Sequence, residues 1–367
     1  MATVVLPAAP AQADRIRNDQ WHLRYLKVAE AHKITRGEGV TVAILDTGVD
    51  RHPDLRSNLL RGIDIVAGGS GDGSNDLHSH GTAMAGLVAA HGRATGIGAL
   101  GIAPAAKILP ITTSSKDNRG TIDDLAAGIE FALTKDADVI NISSTGGPNA
   151  RLQQAVEAAI EADVVVVASA GNYPLDYTVG YPARHPGVIA IGGIDQKGNQ
   201  AQVSITGREI DVVAPATDIY STSYDGKYAK GSGTSSATAI VAGAVALIRA
   251  RFPELSAREV AHRLTATAVD KGAPGRDDEY GYGVIDLVAA LTADVPPLVS
   301  ESPTASAPAD VTPTSAVAAP DGDGGGGWSL AAGGLAALGG GVVALGGFAW
   351  ALAARRRRRA GADRPGG

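Results

Sequence analysis

The sequence predicts an α/β protein with a mainly parallel central sheet in a three-layer arrangement, plus one C-terminal transmembrane helix. Three observations predict it. Between Gly39 and about Ala290, β-rich apolar runs alternate with amphipathic stretches, the pattern of βαβ units with helices on both faces of a parallel sheet. The apolar residues of those runs are nearly continuous rather than alternating, as in strands buried on both faces. Further on, residues 328–354 form a 27-residue segment without a charge.

Taken in order, residues 1–13 combine a short apolar run with an Ala-x-Ala ending at Ala13. That is the pattern of a cleavage site without the positive n-region, and we read it as a residual signal peptide, against an ordinary N-terminal tail. Residues 14–38 are an N-terminal extension. The folded domain, 39–291, contains the strand candidates VTVAILD (ending at Asp46), AKILPI (106–111), DVINIS (138–143), DVVVVAS (163–169) and GVIAIGG (187–193). Between them HGTAMAGLVAA, TIDDLAAGIEFALTK and RLQQAVEAAIEA have helical spacing. Residues 292–327 turn to Pro, Ala, Ser, Thr, Asp and Gly with hardly any large apolar side chain, the composition of a flexible linker.

The uncharged segment 328–354 is long enough, at roughly 40 Å as a helix, to cross a bilayer core. Trp328 and Trp350 lie near its ends, and Arg355–Arg359 open a basic tail, 355–367. The positive-inside rule then places the tail in the cytoplasm and residues 1–327 outside the cell membrane. A Gly/Ala-rich tail is the competing reading. Ala332, Ala336, Gly340 and Ala344 form a small-residue ridge suited to a second membrane helix.

Composition excludes some functions. A formal charge of −6, with its one basic cluster confined to the C-terminal end, gives no reason to expect a nucleic-acid partner. The chain has no cysteine, which removes thiol catalysis, disulfides and thiolate metal sites.

Candidate chemistry sits at predicted junctions of strand and helix. Asp46 ends a buried strand, where a carboxylate must be paired or hydrogen-bonded. His80 opens a helix of small residues beside Gly81. In GSGTSSATAIVAG (231–243), Ser235 lies at the start of an apolar helix, next to unsatisfied backbone N–H groups. Each has a bland reading, as turn, packing and capping residue respectively. Together, at one edge of a parallel sheet, they can form a relay in which Asp orients His, His takes a proton and Ser attacks. An α/β-hydrolase esterase requires Gly-x-Ser-x-Gly and the order Ser, Asp, His, and neither is present.

At this point the sequence resembles the subtilisin family of serine proteases across about residues 35–291. The resemblance is carried by DTGV (46–49), HGTAMAG (80–86) and GTSSATAIVAG (233–243), with VINIS (139–143), VVVVASAGN (164–172), TVGYP (178–182), DVVAP (211–215) and YGYGVID (280–286). It implies a subtilisin-like peptidase domain cleaving polypeptides without a cofactor, with Asp46, His80 and Ser235 as the triad and Asn172 in the oxyanion hole. It also implies substrate binding along Ser143, Ser144, Thr145 and Gly146, where SSTGG is one residue longer than the family pattern. Two further departures stand out. Ala239 replaces a usual proline, a change expected to shift the helix around Ser235 slightly, and the loop HGRATGIGALGIAP (91–104) lacks an Asn-rich calcium loop, so no metal is expected there. Loop acids such as Asp76 and Asp225 leave other calcium sites open.

The whole layout is similar to that of mycosins, membrane-anchored subtilisin-like proteases associated with type VII secretion, and QWHL (20–23) resembles the start of their extension. Mycosins commonly carry cysteines in the catalytic domain, which this chain lacks. The resemblance implies a single-pass membrane protease, working with a type VII secretion membrane complex on secreted proteins. The alternative is a mainly structural component of such a complex, with secondary proteolysis.

Overall fold

Three short helices open the described chain, which in this computed structural model comprises residues 10–66, 71–115 and 120–298. They are α1 (Pro10–Asp19), α2 (Trp21–Tyr25) and α3 (Val28–Ala31). The α/β body follows as β1 (Thr41–Asp46), β2 (Ile63–Asp64), α4 (His80–Ala89), β3 (Lys107–Thr112), α5 (Ile122–Thr134), β4 (Val139–Ile142), α6 (Ala150–Glu161) and β5 (Val165–Ser169). It continues through β6 (Ile189–Ile194), β7 (Val212–Pro215), β8 (Ile219–Thr222), β9 (Tyr228–Gly231), α7 (Thr234–Arg251), α8 (Ala257–Ala266) and α9 (Leu287–Thr292). The expected linker beyond residue 298, the membrane helix at 328–354 and the basic tail lie outside the described residues, as do residues 1–9. Among the described residues no helix is long and apolar enough to cross a membrane.

The sheet runs β2-β3-β1-β4-β5-β6-β7, with every neighbouring pair parallel. From β1 the strands β3 and β2 extend to one side and β4 onward to the other, so the order reverses between β1 and β4. Crevices for ligands open at the carboxyl ends of such a pair. The strand period of two then sorts β1 between two cores. Val42 and Ile44 pack on the side of α4 and α7, while Ala43 and Leu45 face α5 and α6. All four side chains are essentially inaccessible to solvent, and full burial of one such aliphatic side chain contributes about 1.5–3 kcal/mol.

The five runs read as strands are strands, each within two residues of its expected ends, and the three helical patterns are α4, α5 and α6. The short strands β2 and β7 and the hairpin β8–β9 carry no long apolar run, which is why periodicity passes over them. Helix α1 begins at Pro10 and so spans Ala13, the end of the expected leader. The helix that carries Ser235 is continuous from Thr234 to Arg251, through Ala239. The shift expected from the missing proline is therefore not accompanied by a break.

Buried polar contacts tie the extension to the domain. The Gln20 side chain is fully buried, donates to Leu100 O at 3.0 Å and Tyr220 O at 3.3 Å, and accepts from Leu100 N–H at 2.8 Å. Trp21 donates its indole N–H to Thr217 O at 3.1 Å, and Arg17 reaches Gly98 O at 3.0 Å. Against the 91–104 loop a buried acid is neutralised. Asp54, with 0% exposure, accepts from Arg93 Nε at 3.1 Å, Ala99 N–H at 2.7 Å and the Tyr228 hydroxyl at 2.7 Å.

Removing the cation of that group leaves a buried carboxylate with two neutral donors. Arg93 is itself about one-third exposed (32%), so the expected loss in Arg93→Ala lies on the order of 1–3 kcal/mol. Denaturant unfolding of the two proteins checks this; equal midpoints would show that the pair contributes nothing.

Candidate active site

The site forms at the switch between β1 and β4. Asp46 is the last residue of β1, and Leu45 pairs with Ile142, so Ser143 leaves the sheet beside Asp46. The Asp46 carboxylate is almost buried, with 7% of the residue exposed. It accepts from Thr47 N–H at 2.8 Å and from His80 Nδ1, which lies 2.8 Å from both of its oxygens. This contact assigns the proton to Nδ1 and leaves Nε2 as the base, on a side chain about one-third exposed (34%). Gly81 permits the approach: a Cβ there would stand 2.0 Å from Gly48 O and 3.1 Å from the Asp46 Cβ.

Asp76 holds the start of α4. Its Oδ1 accepts from Thr47 Oγ1 at 2.9 Å, His78 N–H at 2.8 Å and Ser79 N–H at 2.9 Å, and its Oδ2 from Thr82 N–H at 2.9 Å and Thr82 Oγ1 at 2.6 Å. This answers one question that the sequence leaves open. Asp76, 3% exposed, is saturated by protein donors and serves as a helix cap instead of a loop acid available to calcium. Asp225 is an exposed acid paired with Lys227 at 3.5 Å.

Ser235 is the second residue of α7, where its backbone N–H has no helical acceptor behind it. Its hydroxyl donates to Ser143 O at 3.2 Å rather than to His80. Asn172 follows β5 and reaches the same helix end. Its Oδ1 accepts from Thr234 N–H at 2.8 Å and Thr234 Oγ1 at 3.2 Å. With the oxygen engaged, the Nδ2 donors are left for another acceptor. Asn172 is therefore both the cap of α7 and an amide placed beside Ser235.

The four residues read as substrate-binding divide. Ser143 is buried against Ser235, Ser144 is exposed, and Thr145 donates to Asp176 Oδ1 at 3.0 Å. The Gly146 N–H and C=O are both taken by Tyr181, at 2.9 and 3.0 Å, so its backbone has no free N–H to offer an added strand. Asp176 also accepts from Asn172 N–H at 2.7 Å. Asp76, Asp176 and Thr234 are neighbours of these residues that the sequence did not assign. Each contact joins segments that periodicity treats as separate, and only the acidity of Asp76 drew attention to it.

The charge of Asp46 is the largest influence on His80 and raises its pKa above the ordinary 6.5, against the opposing effect of burial; the Asp46 hydrogen bond and the Asp76 charge add to the rise. The arrangement can thus orient and charge-stabilise an imidazolium at the sheet edge where Ser235 opens α7. That is the requirement for general-base-assisted acyl transfer.

The profile of the Subtilase family matches residues 37–283. Subtilisin DY of Bacillus licheniformis is 40% identical over 261 residues, covering 70% of this chain and 92% of its own. Subtilisin BL of Lederbergia lenta is 37% identical over 272 residues, covering 74% and 97%. Among solved structures, MycP1 from Mycobacterium smegmatis is similar with a TM-score of 0.69 and 30% identity, over 80% of this chain and 88% of that one. MycP1 from the ESX-1 type VII secretion system gives 0.68 and 30%, over 76% and 86%.

A base whose pKa is raised must lose its proton at higher pH. The acid limb of kcat/KM is expected to have its midpoint above 6.5, and Asp46→Asn, which removes the largest cause, to move it down. Stability runs the other way: the contribution of protonated His80 is fully present below its unfolded pKa and lost as pH rises through the raised one. Measured pH profiles of both proteins decide it; a midpoint that Asp46→Asn leaves in place would contradict the assignment.

Proposed function

The chain belongs to the subtilase family and is a subtilisin-like serine endopeptidase acting on polypeptides, and from that membership we propose that its reaction runs through Asp46, His80, Ser235 and Asn172. The observation that carries the reading is the convergence at one sheet edge: His80 Nδ1 is 2.8 Å from Asp46, and the Asn172 amide is turned beside Ser235 by Thr234.

In the proposed cycle the Ser235 hydroxyl leaves Ser143 O and gives its proton to His80 Nε2 as Oγ attacks the peptide carbonyl. Asn172 Nδ2 and the Ser235 N–H donate to the oxyanion. Asp46 stabilises the imidazolium, which returns the proton to the departing amine. The acyl-enzyme is then hydrolysed by water, activated through the same His80.

We further propose that the protease is anchored in the cell membrane by residues 328–354, with the catalytic domain outside and the basic tail inside. Support comes from the uncharged run, its flanking tryptophans and Arg355–Arg359. A role beside a type VII secretion complex, processing secreted proteins, is supported by the structural likeness to MycP1 from the ESX-1 system.

Intact cells exposed to a membrane-impermeant fluorophosphonate probe should acquire label on Ser235 in the membrane fraction. Label that appears only after lysis would contradict the outward topology. Ser235→Ala should abolish labelling and lower kcat by on the order of 10⁴-fold or more. Asn172→Ala should retain labelling while kcat falls by about 10²–10³, and parent-like turnover in either variant would overturn the mechanism.

A further inference from the structure

The acyl-side residue of a substrate must place its carbonyl carbon at Ser235 Oγ and its oxygen toward Asn172 Nδ2. Ser235 Oγ is 3.2 Å from Ser143 O, just past β4, and Asn172, just past β5, accepts from Thr234 N–H, so a residue held there lies between the chain leaving β4 and the chain leaving β5. The far ends of these walls are joined, because Gly146 and Tyr181 exchange both backbone hydrogen bonds, at 2.9 and 3.0 Å. Thr145 belongs to the β4 wall and lies against Gly180 of the other. A Cβ on the opposing Gly180 would lie 2.9 Å from Thr145 Cβ and 3.2 Å from its Cγ2, so at this point the walls are in contact.

Thr145 is also pinned. Its hydroxyl donates to Asp176 Oδ1 at 3.0 Å, and Asp176 Oδ2 accepts from Asn172 N–H at 2.7 Å. Rotating Thr145 away from Gly180 would release the carboxylate that holds the oxyanion residue. The same two bonds engage both Asp176 oxygens, so a basic substrate side chain would have to compete with them.

Building on the endopeptidase reading, we propose that Thr145 sets the specificity on the acyl side of the scissile bond, closing the crevice to all but small side chains such as Gly, Ala and Ser.

The test uses the full chain in detergent, with active enzyme counted by fluorophosphonate titration of Ser235. Peptides identical except for Ala, Phe or Lys at the acyl-side position are compared by kcat/KM. Ala is expected to exceed both others by about tenfold or more. Thr145→Gly should narrow the Ala-to-Phe ratio by about tenfold. Thr145→Val keeps the shape but cannot donate to Asp176, and should preserve the preference. Wild-type enzyme that cleaves Phe or Lys as well as Ala overturns the proposal, and so does an unchanged ratio in Thr145→Gly. An enzyme labelled at Ser235 but with the wrong preference refutes the specificity alone, whereas the absence of both label and cleavage refutes the endopeptidase reading beneath it. The wild-type profile decides the matter even where the glycine variant does not fold.

Discussion

The hydrogen-bonded contact between Asp46 and His80 is the constraint from which the rest of the site follows. A carboxylate at the end of a buried strand is costly unless it is satisfied, and here Thr47 N–H and the imidazole satisfy it at 2.8 Å each. For the imidazole to reach it, α4 must begin almost on top of β1. That closeness requires Gly81, whose missing side chain makes room for Gly48 O. It also requires something to satisfy the N-terminus of α4, and Asp76 does so while adding negative charge that favours the protonated imidazole.

The second half of the site is built on the same economy of shared groups. Asn172 caps α7 through its side-chain oxygen, and this single choice orients the amide donors and fixes the helix start that presents Ser235. Asp176 then secures the Asn172 backbone and extends the rigidity to Thr145. Oxyanion stabilisation depends on donors that need no rearrangement when charge develops. In the proposed mechanism that stiffness comes from the chain of hydrogen bonds that runs from helix α7 through Asn172 and Asp176 to Thr145. The Ser235 hydroxyl, by contrast, rests on Ser143 O, so in the proposed cycle its link to His80 is made only as the reaction starts.

Away from the chemistry, the extension and the 91–104 loop form a support for α4 and the β8–β9 hairpin. Gln20 bridges Leu100 and Tyr220, while Asp54 gathers Arg93, Ala99 and Tyr228. Both side chains are wholly buried, and each has its polar atoms matched. Gly86 lets the hairpin press on α4, since a Cβ there would meet Thr222 Oγ1 at 2.1 Å. The helix that carries His80 is therefore held from the strand, the hairpin and the loop.

By itself the sequence determined the α/β class, five of the sheet strands, the helices α4, α5 and α6, and the family, because continuous apolar runs, helical spacing and ordered motifs are local properties of the chain. It also put Asp46, His80, Ser235 and Asn172 forward by motif, and the structure draws Asp46 to His80 and Asn172 to the start of α7. Tertiary structure alone decided the partners that lie far apart in the chain. The caps that Asp76 and Asn172 provide, the engagement of Gly146 by Tyr181, and the contact of Thr145 with Gly180 all depend on how separate strand ends meet. Side-chain hydrogen bonds between such ends leave no period or spacing in the sequence, so they become visible only once the parallel sheet has brought its carboxyl edge together.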